Sequence, residues 1–408
     1  MNYAIRARYA GVSRRLPLFE SVDSIMLILF WASAAIVCYV YFGYPLLLGL
    51  GFLGRRRGIR RGTTRPLVSF IIAAHNEECV IEEKVRTILA SDYPREQMEV
   101  LIGSDGSSDG TEEIVRKFQT GGIGLVSFLQ QQGKSAMQNR LVAAASGEIL
   151  VFTDADSSLA PDALGSLLEN FADPSVGIAT SHPRYANESE TNIAENESIY
   201  FRYDGWLREQ ESVRGLLAMA SGPLFAMRRS LWQPLDPNLG DDFVLPLQVA
   251  EAGLRNVLDS RVKVAMPLAQ NRADTMLRMK ERIVSKDLRG LLTHHELLNP
   301  WKHGALAIGL WSHKLLRWFI PFFLLCLVAS NLMLLGRPFF RGIFLLQAVF
   351  YAVALVGFIL RNRAVRFPWS VPFSFCLVNF AALLGTLRCL SGKTSGQWKP
   401  VRKHSAAA

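Results

Sequence analysis

Four long stretches of this chain are free of charge, and between the first and second lies a segment that alternates short apolar runs with polar loops. From Ser24 to Gly54 no charged residue occurs. That is about 30 positions, enough to cross a bilayer with tilt or with a kink at Pro45. Three more runs, Trp318 to Gly336, Gly342 to Leu360 and Phe367 to Leu387, are also charge-free. Each has about 20 residues, the length that crosses the hydrocarbon layer. Trp301, Trp311, Trp318, Trp369 and Trp398 sit near the edges of these runs, where interfacial aromatics gather. The first run is longer than a signal core, and no small-residue cleavage site precedes the following arginines, so a retained anchor is expected. Residues 294–317 mix tryptophan, leucine and basic residues without a long apolar core. They read as an interfacial helix leading into the second run, or as an ordinary exposed helix on the domain.

Within residues 66–293 the pattern predicts strand, loop and helix in repetition. Leu67 to Ala74 is a short apolar, β-branched run followed by His75-Asn76-Glu77-Glu78 and an amphipathic stretch from Val80 to Ala90. Glu99 to Gly103, the turn-rich loop Ser104 to Gly110 and the helix Thr111 to Gln119 repeat the unit. A third cycle runs from the helix Ala136 to Ala145 into the strand Glu148 to Thr153. Alternation of this kind predicts an α/β fold with a mostly parallel sheet covered by helices. Ligands in such sheets bind at the carboxyl ends of the strands.

Composition supports the membrane reading. Half of the 408 residues are hydrophobic, 20% are charged and the formal net charge is +10, a balance more apolar than that of an ordinary soluble chain. Arg55, Arg56, Arg57, Arg60 and Arg61 follow the first run, and Arg361, Arg363 and Arg366 follow the third. Basic residues beside apolar runs follow the positive-inside rule rather than forming a nucleic-acid groove, so no nucleic-acid partner is expected and membrane lipid is. A tail at 1–23, an anchor at 24–54 and a basic linker at 55–65 thus lead into a cytoplasmic domain. Spans at 318–336 and 342–360, a spanning or re-entrant segment at 367–387 and a basic tail at 388–408 follow it. Four full crossings would put both termini outside, whereas the basic tail Lys393 to Lys403 prefers the cytoplasm; Pro368, Pro372 and Asn379 suit the re-entrant alternative. Five cysteines without a C-x-x-C pair exclude a disulfide scaffold or thiolate zinc site.

Three polar clusters follow the predicted strands: His75-Asn76-Glu77, then Asp105 to Thr111, then Asp154-Ala155-Asp156. Carboxylates converging at one sheet edge repel one another unless a cation sits between them. Carboxylate oxygens suit Mg²⁺ or Mn²⁺, which bind phosphate oxygens in turn. Each cluster also has an ordinary reading. Asp156 could cap a following helix, Asp109 could cap the Thr111 helix, and Asp105-Gly106 is a common turn pair. His75, with no second histidine nearby, reads as a loop residue rather than a metal ligand. The residues alone point to a metal-using enzyme of a nucleotide diphosphate.

The runs VSFIIAAHNEE (68–78), GSDGSSDGT (103–111) and GKSAMQNRLVAAASGEILVFTDAD (133–156) resemble glycosyltransferase family 2. This is the inverting, GT-A-fold group of cellulose, chitin, hyaluronan and poly-N-acetylglucosamine synthase-like proteins, here its integral-membrane branch. SGPLFAMRRSL (221–231) and GDDFVLPLQVAEAGLR (240–255) resemble that family's acceptor-side region. The resemblance implies that Ala74, Asn76 and Glu77 hold the nucleotide, that Asp105 contacts its base, and that Lys134 and Asp154 lie beside the donor. It implies that Asp156, with Asp154, ligates the metal, and that Asp242 is the catalytic base. Asp241 reads as a cap for a helix over Phe243 to Ala252, with Pro246 near its first turn. Arg278 and Arg282, in a run similar to the family's F-R-R-K-x-R-I variant, are implied at the diphosphate. The alternative for each is a basic solvated helix face near anionic lipid.

The family's processive members carry Q-x-x-R-W after the catalytic aspartate; this chain does not, and its spans are few for a polymer channel. The tail Trp398 to Arg402 resembles a family feature near the cleft. The expected function is therefore sugar transfer from a nucleotide-sugar donor, a UDP-sugar above all, to a lipid-linked or growing glycan acceptor, with accessory subunits a further partner class. A processive synthase, a polyprenyl-phosphate sugar transferase and a non-catalytic membrane subunit are the alternatives. A transporter fits less well, because the apolar runs hold few ionisable residues.

Overall fold

The computed structural model describes residues 17–182, 184–185, 192–266, 273–360 and 370–392. Arg361, Arg363, Arg366, Pro368, Trp369 and the tail with Lys393 to Lys403 and Trp398 lie outside the described residues.

The described residues form ten strands: β1 Val68–Ala74, β2 Met98–Asp105, β3 Ile123–Phe128, β4 Ile149–Phe152, β5 Ser158–Leu159, β6 Val176–Ser181, β7 Arg184–Tyr185, β8 Phe225–Arg228, β9 Arg255–Asp259 and β10 Val264–Met266. Seven form the main sheet in the order β3-β2-β1-β4-β8-β6-β9, and β5-β10-β7 form a small second sheet. β2 and β4 pair parallel to β1 on its two sides, and β3 extends the row parallel to β2. β8 alone runs antiparallel to its neighbours β4 and β6. The chain steps outward from β1 to β3 and then returns to β4, so the order reverses beside β1. The carboxyl ends of β1, β2 and β4 meet at that crevice.

Every residue of β1 is buried, as a strand covered on both faces requires. One face packs Ile81, Val85 and Ile88 of the helix Ile81–Leu89 against Phe70 and Ile72. The other packs Met137 and Leu141 of the helix Lys134–Ala144 against Ile71 and Leu101. Gly106, just after β2, has φ of +66°, and a Cβ there would lie 2.6 Å from the Gln131 nitrogen. Both the dihedral and the approach demand glycine. Gly106→Ala is expected to cost about 2 kcal/mol, read as a lower midpoint in denaturant unfolding of the intact chain.

Among the described residues four helices are long and apolar enough to cross a membrane: Val22–Gly49, Ala305–Met333, Pro338–Ile359 and Ser370–Leu390. The first contains a π-turn at Tyr39–Gly43 immediately before Pro45. Pro45 has no N–H for the carbonyl four residues back, and that carbonyl, of Tyr41, accepts the Tyr203 hydroxyl at 3.1 Å. Residues 294–317 are not a separate helix. Gly304, with φ of +52°, divides a short turn at Pro300–His303, capped by Asn299, from a helix that runs unbroken from Ala305 to Met333. No break occurs at Trp318, because apolar residues continue on both sides of it.

The domain and the long helices share a core. Phe243, Leu247, Leu288 and Leu291 from the domain pack with Leu310, Trp318 and Ala382 from two of the long helices. Tyr44, on the first, donates to Glu211 at 2.7 Å, buried. His313, on the second, meets the same carboxylate at 2.8 Å through Nδ1.

Candidate active site

The three polar loops at the crevice are zipped together by their own side chains. Asn76, with φ of +55°, accepts the Ser108 N–H at 2.8 Å, and its N–H donates to Ser107 Oγ at 3.1 Å. Glu77 N–H donates to Thr111 Oγ1 at 2.8 Å, and His75 Nδ1 donates to the Asp105 carbonyl at 2.7 Å. Asp109 receives the Thr111 N–H at 3.1 Å and also the Glu78 N–H at 3.1 Å, so it joins the loops at the helix start, where Gly110 rather than Asp109 holds the cap position. Asp105 is buried, and its two oxygens accept the Gln132 and Gly133 N–H groups at 2.8 Å each. It thereby fixes the loop that delivers Lys134.

A cavity of about 240 Å³ opens beside these loops. Glu77, Lys134, Asp154, Asp156, Asp242 and Arg282 line it, whereas Ala74, Asn76, Asp105 and Arg278 do not. The sequence reading thus brings six residues to one place, and three of the other four buttress or adjoin the loops. Asp156 is exposed and Asp154 half-buried. No helix follows Asp156; the chain enters β5 instead, so the cap reading for Asp156 does not hold. Among the described residues no three His, Cys, Asp or Glu side chains converge as a ready-made metal site. Two hard carboxylates on one turn fit a Mg²⁺ or Mn²⁺ that takes its remaining ligands from phosphate and water.

Asp241 does not cap its helix. Gly240 occupies the cap position of Asp241–Glu251, which leaves the Asp241 carboxylate free to turn inward. There it accepts Gln138 Nε2 at 2.6 Å and lies 3.2 Å from Lys134 Nζ. Burial resists its ionisation, but Lys134 and Gln138 outweigh burial and hold its carboxyl below the usual range. Lys134 also reaches Asp154 at 2.9 Å. Burial opposes its charge, and Asp154, Asp241 and Asp242 together overcome that, so it stays protonated.

Asp242 has the opposite environment. Burial, then the Asp241 charge, pushes its carboxyl up to about 6 against the pull of Lys134. Pro246, inside the same helix, has no N–H for the Asp242 carbonyl. That carbonyl accepts the Ala220 N–H at 2.7 Å instead, which ties the loop before β8 to the helix start. The tie brings Gly222 close to two carboxylates. A Cβ there would lie 3.1 Å from Asp154 Oδ2 and 3.8 Å from Asp242 Oδ2.

Three functional candidates escaped the sequence reading. Lys286 and Asp287, one turn beyond Arg282, also line the cavity. Burial, then the Asp242 charge, raises the Asp287 carboxyl to about 8. Lys84 is wholly buried behind the Asp154 turn, where its Nζ donates to Thr153 Oγ1 at 2.5 Å and to the Ser157 carbonyl and hydroxyl at 2.9 Å each. Thr153 and Ser157 in turn donate to the Pro223 carbonyl at 2.7 and 3.0 Å. Burial lowers the Lys84 ammonium to about 7, against Asp154 and Asp156. The available signal was its place between Ile81 and Val85 on the apolar stripe of its helix. Lys84→Met is expected to cost about 2 kcal/mol, since it strands acceptors on both sides of the turn. Thermal unfolding of the full chain in lipid checks this.

The fold and the cavity define a GT-A-like α/β domain joined to helices long enough to span a membrane. Residues 69–234 match the Glycosyl transferase family 2 model, so the chain carries a domain of that family. A poly-beta-1,6-N-acetyl-D-glucosamine synthase of Staphylococcus aureus is 30% identical over 166 residues, 40% of each chain. The protein of the same name from Staphylococcus epidermidis is 27% identical over 199 residues, 48% of this chain and 47% of that one. The chain therefore spans less than half the length of these curated relatives. A mannosyltransferase of Pyrobaculum calidifontis, solved with GDP-Man and Mn²⁺, aligns over 92% of this chain and 99% of its own with a TM-score of 0.67 at 20% identity. That likeness concerns the fold.

Proposed function

We propose that the chain is a membrane-bound inverting glycosyltransferase that moves a sugar from a nucleotide-diphosphate sugar, a UDP-sugar above all, to a lipid-linked or growing glycan acceptor. One observation carries the mechanism: Asp154 and Asp242 come together at Gly222, where one added carbon would lie 3.1 and 3.8 Å from their carboxylate oxygens. One carboxylate sits on the donor side, and the other faces the space an acceptor must enter.

In this reading Asp242 is the base. Its raised carboxyl lets it accept a proton from the acceptor hydroxyl as that oxygen bonds to the sugar, opposite the departing diphosphate. Asp241 and Lys134 anchor the helix start and keep Asp242 aimed at the cavity. Asp156 and Asp154 would hold a Mg²⁺ or Mn²⁺, which neutralises charge on the leaving diphosphate. Arg282 supplies further positive charge there, while Arg278, one turn earlier, is exposed and does not line the cavity. Asn76, Glu77 and Ala74 shape the nucleotide pocket through the zipped loops, and Asp105 acts chiefly by holding the Gln132–Gly133 loop. The basic flank after the first span supports a domain on the cytoplasmic face of the plasma membrane.

A donor screen with the full chain in native lipid tests this. UDP- and GDP-sugars are supplied with Mn²⁺ or Mg²⁺, released nucleoside diphosphate is measured and the product is weighed by mass spectrometry. Transfer of one sugar class to a lipid or glycan is expected; no nucleoside diphosphate from any donor would remove the proposal. The names of the staphylococcal relatives favour a second reading, a processive synthase, and a ladder of product lengths would select it.

A further inference from the structure

Asp242 is not the only carboxylate on its side of the cavity. Asp287, on the helix Ala273–Thr293, lines the same wall. A Cβ on Gly240 would lie 3.2 Å from Asp242 Oδ1 and 3.7 Å from Asp287 Oδ1. Both oxygens therefore border the spot that a side chain at Gly240 would fill. The other oxygen of Asp242, Oδ2, is the one near Gly222 and Asp154. The base thus has a donor-side carboxylate at one oxygen and Asp287 at the other.

Neither glycine has the left-handed backbone that requires one. Gly240 has φ of −91° and ψ of 131°, which any residue adopts. What the two missing side chains leave is room, and both glycines line the cavity.

The helices that carry Asp242 and Asp287 are packed backbone to side chain. A Cβ on Gly290 would lie 2.8 Å from Val244 Cγ2, and Leu288 and Leu291 pack with Phe243 and Leu247. These contacts fall within one turn of the two carboxylates and set their spacing. Among the described residues neither carboxylate forms a hydrogen bond or an ion pair.

The charge of the wall narrows what fits between them. Six carboxylates and three cations line the cavity. Lys134 is committed to Asp154 and Asp241 at 2.9 and 3.2 Å. In the transfer reading a divalent metal meets Asp154 and Asp156, and Arg282 meets the diphosphate. That leaves Lys286 alone against Glu77, Asp242 and Asp287, with no positive charge over for an anionic acceptor. Sugar hydroxyls, by contrast, supply the donors that carboxyl oxygens take. Two carboxyls beside one space do not both ionise. Burial, then the Asp242 charge, leaves the proton on Asp287 against the pull of Lys314, Arg208 and Lys286. A protonated carboxyl accepts through one oxygen and donates through the other.

Resting on the transfer reading above, we propose that Asp287 is an acceptor-binding residue: it hydrogen-bonds a second hydroxyl of the sugar whose first hydroxyl meets Asp242, and that sugar carries no negative charge. As the acceptor oxygen bonds to the anomeric carbon, its proton passes to Asp242. The bond from that carbon to the diphosphate oxygen breaks with its electron pair on the leaving group. Asp287 keeps its own proton throughout.

The division of donor between transfer and hydrolysis tests this role, because water as the acceptor needs no second contact. The full chain in nanodiscs is supplied with Mn²⁺, a native membrane extract as acceptor source, and the UDP- or GDP-sugar from which wild type transfers most. Asp287→Ala is expected to lower the ratio of transferred to hydrolysed sugar at least tenfold, while UDP affinity changes less than twofold. Asp287→Asn keeps an accepting oxygen and gains a donating N–H, so it should restore the ratio to within threefold of wild type. Tandem mass spectrometry of the product should find an uncharged sugar at the receiving position. An unchanged ratio in Asp287→Ala overturns the proposal. So does a parallel loss of transfer and hydrolysis, or a loss of UDP affinity, since either would give the residue a structural or donor-side role. Equal loss in Asp287→Asn and Asp287→Ala overturns the hydrogen-bonding role of a neutral carboxyl. A uronate or a phosphorylated sugar at the receiving position overturns the acceptor class. Wild type that transfers nothing from any donor is a separate outcome, and it removes the transfer reading itself.

Discussion

Asp242→Asn is expected to slow sugar transfer by about 10³-fold while nucleoside diphosphate still binds, because a positioned base contributes about 10²–10⁴-fold. The amide has nearly the shape of the carboxylate, so the helix start and its tie to Ala220 through the backbone carbonyl survive. What disappears is a carboxyl raised to about 6 by burial and by Asp241. A base acts only when deprotonated, so wild-type kcat/KM should fall as pH drops through about 6, and the variant should lack that limb. Single-turnover transfer across pH, with nucleotide binding measured in parallel, decides the matter. Wild-type turnover by Asp242→Asn, or equal loss of nucleotide binding and transfer, would refute the assignment.

Asp156→Ala has a different expected signature, lost binding rather than lost chemistry. Removing even an outer-shell partner of a metal ligand costs about 10–100-fold, so loss of the exposed carboxylate of the turn should weaken metal-dependent UDP-sugar binding by about 100-fold. Metal-independent binding should change little, because the zipped loops do not depend on Asp156. Titration of UDP with Mn²⁺, with Mg²⁺ and with chelator distinguishes the two. If the variant keeps the full metal-dependent increment, Asp156 is not the ligand. Lys84→Met perturbs the same turn from behind and should instead lower thermal stability.

β1, β2 and β4 were legible because each is a compact apolar run closed by turn residues. β3 was not, since Gly121 and Gly122 precede it, Gly124 interrupts Ile123–Phe128, and most of its residues are only half-buried. The antiparallel entry of β8 between β4 and β6 depends on pairing across some 70 residues of chain, which no local pattern encodes. Glu77, Asp154 and Asp156 reach the cavity as strand order and chemistry suggested, whereas Lys134, Asp242 and Arg282 were named only through the family resemblance. Lys84 and Lys286 were not legible, since a lysine on a helix ordinarily faces water and only the tertiary fold buries it. Asp241 was misread for a related reason: a turn-favouring residue before an apolar stretch signals a cap, and Gly240 filled that place instead.

Phe243, the residue after Asp242, packs edge-on against Trp318 with ring centroids 5.8 Å apart. Trp318 belongs to a helix of membrane length. A soluble fragment ending at residue 293 would strip this cover and leave an apolar floor under the helix that begins at Asp241. In the intact chain, by the same contact, tilt of that helix is transmitted to Asp242 through a single layer of side chains. Bilayer thickness, which sets helix tilt, thereby becomes a variable of turnover. Reconstitution in lipids of graded acyl length should show a rate optimum while nucleotide affinity stays constant.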